Sequence, residues 1–224
     1  MPPPPALTKR LWDSIAGLYD QIVAHPFLAG LADGTLDQDK FRFYVVQDAL
    51  YLRDYARALS VCGARAPAEG DVAMFNHHAA GAIAVERELH AGFLADFGLT
   101  PAEVEATPMA PTNQAYTSYL LASVYAGSFA EALAAVLPCY WIYAEVGAHL
   151  LQRGSPDPLY RRWIDTYGGE EFAAVVQAVR DLADRVGADL AEPELARVHR
   201  RFATTSRYEW MFWDAAWRQE RWPV

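Results

Sequence analysis

The chain is 224 residues long, 53% of them hydrophobic, with a formal charge of −9. That length and composition fit one globular unit with a sizeable core and exclude a disordered chain. The acidic balance argues against a general nucleic-acid binder, which needs basic surface to neutralise phosphate, and no apolar run reads as long enough to span a bilayer.

Residues 1–6 open on a run of prolines and read as a solvated, disordered lead-in to one helical domain over 7–224. This is not the basic-then-apolar pattern of an export signal. Cys62 and Cys139 therefore read as free thiols in a reducing cytoplasm. From Leu7 to Ala24, apolar residues recur at spacings of three and four, the pattern of an amphipathic helix, which His25-Pro26 ends. Leu31 to Leu36 reads as a turn, and Asp37 as the cap of a helix from about Gln38 to Cys62, stopped by Gly63. After Pro67 the pattern is helical again to Phe97.

Thr100-Pro101-Ala102-Glu103 is a capping box with proline at the first helical position, and Ser128-Phe129-Ala130-Glu131 reads as a second box. Between them lies a helix over Thr112–Tyr125; after the second box a long helix runs to about Arg153. Within it, Pro138 predicts a kink or a fresh helix start just before Cys139. Helices over about 158–167, 170–190 and 194–220 complete the chain. The β-branched residues fall on helical spacing and no strand–turn–strand unit is found. The fold class is all-α, a multi-helix bundle.

Several polar residues stand where an apolar stripe should continue. Tyr44, Asp48, Tyr51 and Tyr55 share one helix face, and a carboxylate there is costly to bury unless hydrogen-bonded. That pattern fits either a structural Tyr–Asp bond or a binding site. Cys139 and Tyr143 lie one turn apart, so Cys139 is either a nucleophile beside a phenol or a buried thiol. Glu209 sits among Trp210, Phe212 and Trp213. It is either a carboxyl with raised pKa suited to acid–base work or an exposed partner of Arg207 or Arg218. With Tyr116 and Tyr167, these residues suit a flat, nitrogen-rich ring, stacked by aromatics and bonded by carboxylates.

Glu86/His90 and Glu145/His149 are four apart, and His77-His78 is nearby. The spacing admits a metal site, but the six-ligand set of carboxylate-bridged dimetal bundles is not evident.

Four stretches in order carry a resemblance: Phe41 to Leu52, Pro138 to Gly147, Tyr160 to Glu170 and Glu209 to Ala216. Together they resemble the TenA / thiaminase II family over about residues 7–222. The resemblance implies the haem-oxygenase-like all-α fold and hydrolysis of thiamin, or of its aminopyrimidine breakdown product, to 4-amino-5-hydroxymethyl-2-methylpyrimidine. It implies Cys139 as nucleophile and Glu209 as catalytic carboxylate, with Asp48 and Tyr143 holding the pyrimidine. Tyr51, Tyr55, Tyr116, Tyr167 and Phe212 are then the pocket walls. The same likeness implies a homotetramer that acts on a small molecule and needs no cofactor. The acidic charge, the apolar runs, the N-terminal pattern and the incomplete ligand set give the expectation of a cytoplasmic protein with no metal and neither nucleic acid nor membrane as partner. Two alternatives stand beside it: a metal-dependent oxygenase or oxidase of the same fold, motivated by the Glu/His pairs, and a non-catalytic thiamin-pathway binding or regulatory protein.

On the leading reading, addition of a thiol splits one hard displacement into two easier steps. A helix restarted after Pro138 would help to ionise Cys139. Asp48 would polarise the ring, and Glu209 would protonate the departing amine and later activate water.

Overall fold

The computed structural model describes residues 5–85 and 91–224. Residues 1–4 of the proline lead-in, and Glu86 and His90 of the metal reading, lie outside the described residues. Among those described, every regular element is a helix. In chain order they are α1 (Leu7–Val23), α2 (Pro26–Asp33), α3 (Gln38–Arg65), α4 (Glu69–Val85), α5 (Ala91–Asp96) and α6 (Pro101–Ala106). There follow α7 (Pro111–Ala126), α8 (Phe129–Arg153), α9 (Pro158–Gly168), α10 (Glu170–Gly187) and α11 (Glu192–Arg218).

Helix α8 is the centre of the bundle, and α3, α7, α9, α10 and α11 all pack on it. Its first half, Ala130 to Pro138, is buried without a break. At 25 residues it is long and apolar enough to cross a bilayer, contrary to the sequence expectation, yet 83% of its apolar window is buried inside the protein. It is a core helix.

Three local expectations are corrected. His25-Pro26 ends α1 but also begins a helix where a turn was expected. Pro26 occupies the first position of α2, where no N–H is needed, and His25 Nδ1 accepts from Phe27 N at 3.2 Å. Gly63 does not stop α3, which runs on to Arg65. A Cβ at Gly63 would lie 3.3 Å from the Cβ of Phe75, so the glycine serves the close approach of α3 to α4. Ser128 caps α8 through Glu131 N, but the Glu131 carboxylate is held first by Arg197 and Arg201 of α11 and only secondarily by the Ser128 N–H, so this box is looser than expected. The box at Thr100 is complete in both directions.

The interior is unusually aromatic. Trp213 stacks on Tyr44 at 5.1 Å, and Trp163 meets both edge-on. Where α8 crosses the end of α9, a Cβ at Gly147 would sit 2.4 Å from the carbonyl of Tyr167. Only glycine permits that crossing, and it brings Tyr167 to 5.0 Å from Tyr143.

Candidate active site

Helix α3 carries Asp48, Tyr51 and Tyr55 on the face it turns toward α8, and all three are buried. Helix α8 supplies Cys139, Tyr140 and Tyr143. Between them opens a cavity of about 540 Å³, lined among others by Asp48, Tyr55, Cys139, Tyr140, Tyr143 and Tyr167. Cys139 is partly exposed, unlike the buried Cys62. The shared face expected for Cys139 and Tyr143 is the cavity face.

Tyr51, Tyr116, Glu209 and Phe212 do not line the cavity; they form the packed layer next to it. Tyr51 lies 5.0 Å from Tyr116 and 5.7 Å from Phe212, ring centre to ring centre, and stacks on Tyr55 at 5.5 Å. Of the residues expected as pocket walls, Tyr55, Tyr143 and Tyr167 line this cavity, and Tyr51, Tyr116 and Phe212 stand in the layer behind it with the catalytic candidate Glu209. The buried Tyr51 hydroxyl makes no regular hydrogen bond among the described residues, and it lies close enough to Cys139 to favour its thiolate.

Glu209 is 2% exposed, and its carboxyl accepts a short hydrogen bond from the Tyr116 hydroxyl. This decides between the two sequence readings: the carboxyl is not paired with Arg207 or Arg218. Burial raises its pKa to about 8; the Tyr116 bond opposes the rise and the charge of Asp48 adds to it. At neutral pH the group is a carboxylic acid held ready to donate.

The thiol of Cys139 is pushed well above its ordinary value, first by burial and then by the charge of Glu209. The Tyr51 and Tyr55 hydroxyls favour the thiolate, whereas Asp48 disfavours it. The expected help from a restarted helix is absent. Helix α8 runs unbroken through Pro138, so no new N-terminus faces Cys139. The proline removes only the bond that residue 138 would donate back to Ala134. The resting group is therefore the thiol, and protonation of Glu209 removes one of the charges opposing its ionisation.

The phenols around the site are held neutral by burial. Tyr55 donates to the Val136 carbonyl at 3.0 Å, and the hydroxyls of Tyr44 and Tyr143 are 3.1 Å apart. Sequence reasoning had placed Tyr44 on the right face without giving it a role; it fixes the Tyr143 hydroxyl. It also missed Tyr140, whose hydroxyl meets His78 Nδ1 at 3.1 Å, and the cavity residues Asp165, Glu171 and Phe172. His78 had been weighed only as a metal ligand. Glu145 faces elsewhere and accepts from Trp141 Nε1 at 3.0 Å. Among the described residues, no three His, Cys, Asp or Glu side chains are grouped to hold a metal ion.

Residues 12–219 match the TENA/THI-4/PQQC family. The chain belongs to this family. The aminopyrimidine aminohydrolase of Bacillus subtilis (strain 168) is 39% identical over 88% of this chain and 84% of its own length. The solved TenA homologue from P. horikoshii OT3 superposes with a TM-score of 0.88 at 32% identity, covering 96% of this chain and 99% of that one. A domain from Shewanella denitrificans OS217, described as having a heme oxygenase-like fold, superposes with a TM-score of 0.76 at 14% identity over 95% of this chain and 92% of that one. The haem-oxygenase-like fold expected from the sequence is the fold of this TenA-type chain.

Proposed function

We propose that this protein hydrolyses an aminopyrimidine, 4-amino-5-aminomethyl-2-methylpyrimidine or thiamin, to 4-amino-5-hydroxymethyl-2-methylpyrimidine in thiamin salvage, with Cys139 as the nucleophile. One observation carries the reading. A thiol and a carboxylate from two helices, Cys139 and Asp48, face one aromatic-walled cavity, and the protonated Glu209 is close enough to act on both. The activity named for the Bacillus subtilis relative agrees with it.

The flat ring lies against the tyrosine walls, and Asp48 accepts a hydrogen bond from its amino group, which fixes the orientation of the ring. The sulfur of Cys139 then bonds to the electron-poor ring as the thiol proton passes to a ring nitrogen. The carbon–nitrogen bond breaks with its electron pair going to nitrogen: a neutral amine takes the Glu209 proton as it departs, whereas an ammonium or thiazolium nitrogen already carries its charge and needs none. Water adds at the methylene carbon, its proton returning to Glu209 in the first case and passing to the departed amine or to solvent in the second. The carbon–sulfur bond then breaks, and the thiol recovers the proton it lost on addition. Replacing Cys139 with alanine should abolish alcohol release while the protein still melts as one unit; near-normal turnover by that variant overturns the mechanism.

The same reading places the protein in the cytoplasm as a homotetramer. Trp12 and Trp217 pack against the core, whereas Ile83, Tyr125, Leu151, Met211 and Trp222 are exposed apolar side chains. Sedimentation equilibrium is expected to give four chains per particle, and a monomer at micromolar concentration refutes it.

A further inference from the structure

The cavity has two halves of different chemistry. Asp48, Tyr55 and Tyr143 at its inner end are buried. At its outer end, α4 contributes His77 and His78, and α9 and α10 contribute Asp165, Thr166, Glu171 and Phe172. Asp165 and Glu171 are exposed, and neither has an ion-pair partner among the described residues. His78 is half-buried between the two ends. Its Nδ1 meets the Tyr140 hydroxyl at 3.1 Å, and its Nε2 has no hydrogen-bond partner among the described residues.

A single aminopyrimidine ring is smaller than the drug-sized ligands that cavities of this volume hold. With the ring against Asp48 and Cys139, the group to be expelled extends toward the outer half. We propose that this half is a leaving-group subsite for a cationic amine. His78, fixed by Tyr140, accepts a hydrogen bond through Nε2, and Asp165 and Glu171 supply the opposing charge. The assignment rests on the pyrimidine reading of the inner half.

The contact between Nδ1 and the Tyr140 hydroxyl fits either tautomer; the subsite uses the one in which Nδ1–H donates to Tyr140 and the Nε2 lone pair meets an ammonium donor. Burial, and then the neighbouring His77, lower the pKa of His78, which keeps the ring neutral at neutral pH. Among the described residues, the titratable groups lining the same cavity are His77 on its own helix, Asp48 and Tyr55 on α3, Cys139, Tyr140 and Tyr143 on α8, Asp165 and Tyr167 on α9, and Glu171 on α10. The subsite separates two compounds that differ only at the 5-substituent: a protonated aminomethyl group gains acceptors there, and a neutral hydroxymethyl group gains little.

The test is calorimetric titration of Cys139→Ala protein, which does not turn over, with 4-amino-5-aminomethyl-2-methylpyrimidine and with the 5-hydroxymethyl alcohol. Adding His78→Phe is expected to weaken the amine about tenfold, the loss of one charge-assisted hydrogen bond, and the alcohol less than about twofold. The double substitution Asp165→Asn, Glu171→Gln is expected to discriminate in the same sense. These two residues are exposed, so that variant keeps its fold, and its effect should shrink in high salt. Equal losses for both compounds, or an unchanged amine affinity in both variants, overturn the subsite. If neither compound binds the Cys139→Ala protein itself, the pyrimidine reading fails and the subsite with it.

Discussion

At the scale of single residues, the site is governed by one hydrogen bond, from Tyr116 to Glu209. The phenol favours the carboxylate, so without it the Glu209 pKa rises above about 8. The Tyr116→Phe enzyme is therefore expected to show the alkaline limb of kcat/KM moved to higher pH, at reduced rate; a limb that stays put or moves down contradicts the acid role of Glu209. The sequence made Asp48, Cys139 and Tyr143 legible because polar groups interrupted an apolar helical stripe. It left Glu209 undecided, since Arg207 and Arg218 offer nearby cations, and only the position of Tyr116 on another helix shows where the carboxyl is bonded. His78 was harder still. Its partner Tyr140 is 62 positions away, and nothing local to either residue announces the contact.

At the scale of elements, helical periodicity and capping residues located the helices well, and the misreadings share a cause. Proline and glycine were taken as breakers, yet each acts according to its surroundings. Pro26 starts a helix because position N1 needs no N–H. Pro138 is absorbed inside α8, where the preceding side chains from Ala130 to Leu137 are all buried, so packing offsets one missing bond. Gly63 and Gly147 are crossing points, a property of the partner helix that the local sequence cannot carry. The consequence for the site is direct. Cys139 receives no helix N-terminus, and its ionisation depends on Tyr51, Tyr55 and the protonation of Glu209, contributed by α3 and α11.

At the scale of the whole molecule, a catalytic acid kept protonated by burial must leave a trace in stability. Glu209 has an ordinary carboxyl value of 4.5 when exposed and about 8 in the folded protein. Between those limits the native state holds a proton that the unfolded state has released, so stability falls as pH rises. Below pH 4.5 both states are protonated and the contribution is fully present; above about 8 both are ionised and it is lost. At ~1.4 kcal/mol per unit of difference, this one group weakens the fold by several kcal/mol across the window. Glutamine keeps the shape and cannot titrate. Urea unfolding of Glu209→Gln should therefore show a smaller decline than the parent from pH 5 to pH 8.5, with the two differing least in pH dependence below the exposed carboxyl value. The other carboxylates, the Cys139 thiol and the histidines are present in both proteins and largely cancel in the comparison. Parallel curves across the window would mean that Glu209 is already ionised in the native state, which would remove both the acid in the proposed reaction and the reason the thiol is relieved of a neighbouring charge.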